Sequence, residues 1–353
     1  DDLADHSNFE EVAYLLWNGR LPTGDELSAL RQQLGEAMTL PPKVIDVLRL
    51  LPNYTHPMRV LAAATATLGM FDPQADDNSE TANRAKAVRL AAELPLITTT
   101  WHHISEGSET PPPDPGRSIA YNFLKMLCGK EPDEYAVRTF DAALILHADH
   151  ELNASTFSAR VTAATLSDMH SAVVSAINTL KGPLHGGANE QVMKMLEAIG
   201  EPANVEAYMQ NLLANKQKVM GFGHRVYKAK DPRAKILEEM SEELGKRMGD
   251  TKWFEMSHRV EEIFQPTVAS KGVYPNVDFY SASAYHVMGI PRDLFTPIFA
   301  CSRVVGWTAH LLEQYANNRL FRPDSDYVGN KSLKWVPIEA RVPGATDQQV
   351  QNQ

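Results

Sequence analysis

The stretch "KGPLHGGANEQVMKML", residues 181–196, sets a histidine between a Gly-Pro turn and an apolar run of Val192, Met195 and Leu196 that continues to Ile199. This pattern places His185 just ahead of a helix N-terminus, where partial positive charge disfavours imidazolium. A neutral ring in that position can donate a hydrogen bond to a developing oxyanion, and the flanking glycines let a ligand approach the backbone. A capping or turn histidine explains the same pattern. In "YPNVDFYSASAYHVMG", residues 274–289, Asp278 stands between Val277 and Phe279. Its type and place suit an N-cap, yet apolar neighbours would also raise its pKa toward that of a useful general base.

A third stretch, "MGFGHRVYKAKDPRA", residues 220–234, gathers Arg225, Lys228, Lys230 and Arg233 in a chain whose formal net charge is -10. It is not a dinucleotide fingerprint, because Val226 stands where the third glycine would be, and the chain has no GxxxxGK[ST] phosphate loop. What remains is a glycine turn ending on His224, followed by Asp231-Pro232, a good N-cap and first-turn pair. Arg233 then falls in the first turn, where the helix dipole opposes a cation. A bound carboxylate or phosphate would offset that placement. A solvated arginine is the other reading.

Two further features are Arg303, which interrupts the apolar run "LFTPIFACSRVVGWTAHLL", and the pair His147 and His150 in "ILHADHELNAST". A buried arginine is costly unless an anion pairs with it. The histidines are three apart and share a helix face, but HxxH lacks the Glu of a zincin motif. His147 is expected to be a hydrogen-bonded core residue. His150 stays open between core and ligand, since Asp149, Glu151 and Asn153 make its surroundings polar.

The elements that must position these groups are helical. At 353 residues, 43% hydrophobic and 22% charged, the chain has the composition of an ordinary globular protein with room for two domains. Its acidic balance argues against a general nucleic-acid or membrane-surface role. Two cysteines, Cys128 and Cys301, in apolar surroundings favour a reducing compartment over a disulfide framework. The opening "DDLADHSNFEEVAYLLW" holds no basic n-region or apolar signal core, so no targeting peptide is expected. Helix-period patterns dominate, as in "FEEVAYLLWNG" stopping at Gly19, and one long pattern runs from Tyr121 to Leu180 with a break near Gly129 to Pro132. The proline-rich 108–116 reads as a loop, and the tail after Pro323 as an extended arm. The fold expected is all-α, with lobe crossings near 181–187 and 289–297.

Taken together, "HADHELNASTFSAR", "LKGPLHGGANEQV", "VMGFGHRVYKAKDPRA", "YPNVDFYSA", "SRVVGWTAHLLEQ" and "FRPDSDYVG" resemble the citrate synthase family in its shorter bacterial and archaeal form. The resemblance implies a two-domain helical homodimer: a large domain of residues 1–185 and 291–353, and a small one of 186–290 that binds CoA and closes over the active site. It implies condensation of oxaloacetate with acetyl-CoA, or with propionyl-CoA in a 2-methylcitrate synthase, in the cytoplasm, with no metal and no permanently bound cofactor. By the same resemblance His185, His224 and Asp278 are catalytic. His150, Arg233 and Arg303 bind oxaloacetate, with Arg322 supplied by the partner subunit. Val219, Gly221 and Gly223 would hold the CoA adenine region through the backbone, and Arg225 and Lys228 its phosphates. Family members usually carry a further segment ahead of the region matching Asp1. Competing readings are a zinc hydrolase built on His147, His150 and a third histidine, and a CoA-binding module without turnover.

Overall fold

In the computed structural model, residues 2–223, 231–331 and 334–341 are described. Two compact units result, Asp1–Arg319 and Leu320–Gln353. Among the described residues there are sixteen α-helices and no strand, so the chain is all-α as its periodicity indicates. No helix among them is long and apolar enough to cross a membrane. Cys128 and Cys301 are both free thiols.

Helix ends follow local chemistry. Asn8 accepts from Glu11 N to start Phe9–Asn18, and Gly19 ends it in the left-handed region at φ 73. Between 119 and 180 the long helical pattern divides three times rather than once, into Ile119–Cys128, Glu134–His147, Ala154–Ala163 and Met169–Leu180. The two extra breaks have identifiable causes. The side chains of Asn153 and Asp168 take backbone N–H groups at the next helix start, and Glu151 and Leu166 sit at positive φ just before them. Short polar side chains that outcompete the helix ladder hide easily inside an apolar period.

The axis of the larger unit is the helix Phe295–Ala316, buried on nearly every side from Phe295 to Thr308. It packs against Glu80–Glu106, Ala154–Ala163, Phe9–Asn18 and Glu134–His147. Trp17 fixes one contact, donating from Nε1 to Thr308 Oγ1 at 2.9 Å. Helices Pro232–Met248, Ala188–Ile199 and Lys252–Val268 pack around Val277–Val287, with Val205–Ala214 against Lys252–Val268. Loop 181–187 joins Met169–Leu180 to Ala188–Ile199. Of the smaller unit, the described residues hold one short 3-10 turn, Ile338–Ala340, and no α-helix.

Candidate active site

A cavity of about 720 Å³ is bordered by His150, His185, Arg233, Asp278 and Arg303, together with Phe299 and Gly223. Five groups singled out from distant parts of the sequence therefore share one space. His224, Arg225 and Lys228 lie outside the described residues, and Arg322 belongs to the other unit. Val219 is buried and Gly221 packs inward, and neither borders the cavity. Gly221 has φ 78, and a Cβ there would lie 2.7 Å from Val192 and 2.8 Å from Phe279, so both torsion and space demand glycine.

His185 sits in the loop directly before Ala188–Ile199, as its sequence context requires. Ser155 N donates to its Nε2 at 3.3 Å, and Ser155 Oγ lies 2.8 Å from the same nitrogen. An amide N–H can only donate, so Nε2 is the acceptor and the ring proton resides on Nδ1. Ser155 Oγ accepts from Trp307 Nε1 at 3.1 Å, which leaves its one proton for Nε2, and Ser155 N also donates to Asn153 Oδ1 at 3.1 Å. Burial first, then the nearby Arg303, pushes the imidazole pKa down to about 4. The ring is neutral as expected, with burial and a nearby cation as causes that the sequence context did not reveal.

Asp278 is not the N-cap of its helix. Asn276 holds that position and accepts from Asp278 N at 3.0 Å, which frees the aspartate side chain. Burial pushes its carboxyl up to about 7, against the pull of Arg233 and Arg303 and with the help of Asp231. Asp278 Oδ1 is buried and has no hydrogen-bond partner among the described residues. Such an oxygen is costly to leave unmet and is poised to take a proton.

The cations are held in fixed geometry. Asp231 caps Pro232–Met248 and grips Arg233 with both oxygens, at 3.0 Å to Nε and 2.8 Å to Nη2. This carboxylate offsets the unfavourable first-turn position of Arg233, and a bound ligand would be a second anion rather than the first. Arg303 is fully buried; its Nε donates to His147 O at 2.6 Å and its guanidinium lies 4.7 Å from the Phe299 ring centre. Burial pulls its pKa down to about 9, which leaves it charged at neutral pH. Burial and these two arginines lower the pKa of half-buried His150. His147 is the core histidine its context suggests, with Nδ1 donating to Ala143 O at 2.7 Å and its edge against Phe299.

Sequence reasoning missed the supports. Ser155, Asn153 and Trp307 carried no sequence signal of a role at His185, and the helix start at Asn153 lay hidden inside the long helical pattern. Glu190, in the first turn after the loop, accepts from Thr296 Oγ1 and faces His56 Nε2 at 3.5 Å, pairing residues whose only sequence signal was polarity at a helix terminus. Among the described residues no group of three or more His, Cys, Asp or Glu is arranged to hold a metal ion.

The family model "Citrate synthase, C-terminal domain" matches residues 1–324. The chain belongs to the citrate synthase family. A citrate synthase 2 of Bacillus subtilis is 53% identical over 343 residues, covering 97% of this chain and 91% of that protein. A 2-methylcitrate synthase of Shewanella oneidensis is 43% identical over 341 residues, covering 96% and 89%. The ternary complex of Thermoplasma acidophilum citrate synthase with carboxymethyl coenzyme A and oxaloacetate superimposes with a TM-score of 0.89 at 34% identity, covering 97% of this chain and 91% of that one. The family is therefore both the sequence and the structural neighbourhood of this chain, and its members are enzymes of the acyl-transferring condensation type.

Proposed function

We propose that the protein is a citrate synthase: it condenses acetyl-CoA with oxaloacetate and hydrolyses the citryl-CoA so formed to citrate and CoA. The observation that carries this reading is one cavity shared by a carboxylate whose pKa is raised, a neutral imidazole with its proton on Nδ1, and two anchored guanidinium groups. Asp278 takes a proton from the thioester methyl while His185 Nδ1–H donates to the thioester oxygen, so charge leaves the carbon as it arrives on a bound oxygen. The enolic carbon attacks the ketone of oxaloacetate, which His224 polarises. Water then cleaves the thioester and CoA leaves as the thiol. His150, Arg233 and Arg303 hold the dicarboxylate, for which planar bidentate donors are suited. Backbone of Val219, Gly221 and Gly223 serves the CoA adenine region, with Arg225 and Lys228 toward its phosphates. The reaction needs no metal and takes place in the cytoplasm.

Residues 186–290 act as the small domain and close on the large one, 1–185 with 291–353. That division fits a cavity bordered by Arg233 and Asp278 on one side and by His150 and Arg303 on the other. The enzyme works as a homodimer. Exposed Val161 on Ala154–Ala163 and Leu166 beyond it offer apolar surface to a second copy. Arg322, exposed in its own unit, reaches the oxaloacetate of the partner subunit. Arg322→Ala should raise the oxaloacetate KM by about tenfold or more without lowering Tm. Mixing it with Asp278→Asn should restore activity, because one site of each hybrid dimer is intact. No restoration after subunit exchange would count against donation across the interface.

The 43% identity to a 2-methylcitrate synthase supports propionyl-CoA as the alternative acyl donor. The two substrates differ by one methylene, worth about 1–3 kcal/mol or roughly 10- to 200-fold in kcat/KM. Thiol release measured with each acyl-CoA and oxaloacetate should favour acetyl-CoA. A preference for propionyl-CoA would make the enzyme a 2-methylcitrate synthase, and release with neither would end the proposal.

A further inference from the structure

The turn that carries His150 is docked on Phe295–Ala316 at three successive points. Arg303 Nε donates to His147 O at 2.6 Å. Gly306 lies flat against the turn, since a Cβ there would collide with Ala148 O and lie 2.8 Å from Asp149 Oδ1. His310 completes the set, with Nε2 3.1 Å from Asp149 Oδ1 and Nδ1 3.0 Å from Glu313 Oε2. Positions 303, 306 and 310 are spaced three and four apart and so share one helix face.

Carboxylate oxygens accept, and a ring nitrogen facing one must donate. With a carboxylate on each side, His310 sits in a geometry that favours the imidazolium, and its pKa is raised by the Asp149 hydrogen bond first. Arg160 lies 3.2 Å from Glu313 and is held by Gln314 at 3.0 Å, and Arg303 acts electrostatically on Asp149. The second oxygen of Asp149 accepts from Glu151 N at 3.2 Å. Glu151 has φ 52, a left-handed conformation that a non-glycine residue keeps only where its surroundings over-determine it. Asp149 is therefore the pin of the turn, and His310 holds the pin.

We propose that His310 is a positioning residue of the oxaloacetate site: its clamp on Asp149 fixes the turn that aims His150 into the cavity. The inference rests on the citrate synthase reading of that cavity. His310 itself does not border the cavity, so it acts through Asp149.

The test is oxaloacetate affinity, measured by calorimetry across pH on the whole enzyme, alongside acyl-CoA KM and Tm, for His310→Gln and Glu313→Gln. His310→Gln should weaken oxaloacetate by about tenfold while acyl-CoA KM stays within about twofold, as expected when only one ligand's positioning is lost. Glu313 is exposed, so its replacement does not put folding at risk. Glu313→Gln should weaken oxaloacetate by roughly twofold and move the pH at which affinity declines downward, because the imidazolium loses one anion. Wild-type oxaloacetate affinity and an unmoved pH profile in Glu313→Gln, or equal losses for both substrates in His310→Gln, would overturn the inference. A wild-type enzyme that binds no oxaloacetate would instead overturn the functional assignment beneath it.

Discussion

Asp278→Asn should lower kcat for thiol release by about a thousandfold, the middle of the range for loss of a positioned base, with oxaloacetate affinity changed by less than about threefold. Asparagine matches the shape of the carboxyl but cannot take a proton, and Asn276 would continue to cap the helix. In the wild type, burial sets the carboxyl near 7, so the base is protonated below that pH and ionised above it. The sign follows. kcat/KM should rise roughly tenfold per unit as pH increases toward about 7 and then level off, and the asparagine variant should lose this limb. Stopped assays on the two proteins over the same pH series provide the check. A kcat within about tenfold of wild type in Asp278→Asn would remove it from the base role.

The second large effect is at His185. His185→Ala should cost about a hundred- to a thousandfold in kcat, the range for one lost oxyanion donor. Because burial holds the ring pKa near 4, His185 stays neutral throughout the neutral range and adds no limb of its own to the profile. Ser155→Ala removes the hydroxyl contact at 2.8 Å but leaves the amide donor at 3.3 Å. It should cost about tenfold, falling on kcat rather than on oxaloacetate KM. An unchanged kcat in Ser155→Ala would mean that the ring is oriented without it.

The sequence already showed much of this arrangement, for physical reasons. Arg303 stood out because a guanidinium inside an apolar helix has to be paired, and it is indeed buried with its Nε on His147 O. His185 stood out because Gly-Pro and an amphipathic run fix where the next helix begins. What stayed hidden was the partner of each group. Asp231 read as a cap, and it is one, but nothing local says that its two oxygens also grip Arg233. Asp278 read as a cap because Asp and Asn have the same preference there, and two residues decide which of them does it. The breaks before Asn153 and Met169 were lost inside a continuous apolar period. The tautomer of His185 depends on Ser155, thirty positions away, and such pairings exist only once the helices have packed.

The most direct test of the account is deuterium incorporation into the methyl group of acetyl-CoA in D2O, with a diacid analogue of oxaloacetate whose ketone is replaced by a hydroxyl, so that condensation cannot follow. Asp278 and His185 acting together on one thioester predict exchange in the wild type, and loss of it in both Asp278→Asn and His185→Ala. Undiminished exchange in Asp278→Asn, or none in a wild type that still releases thiol with oxaloacetate, would contradict it.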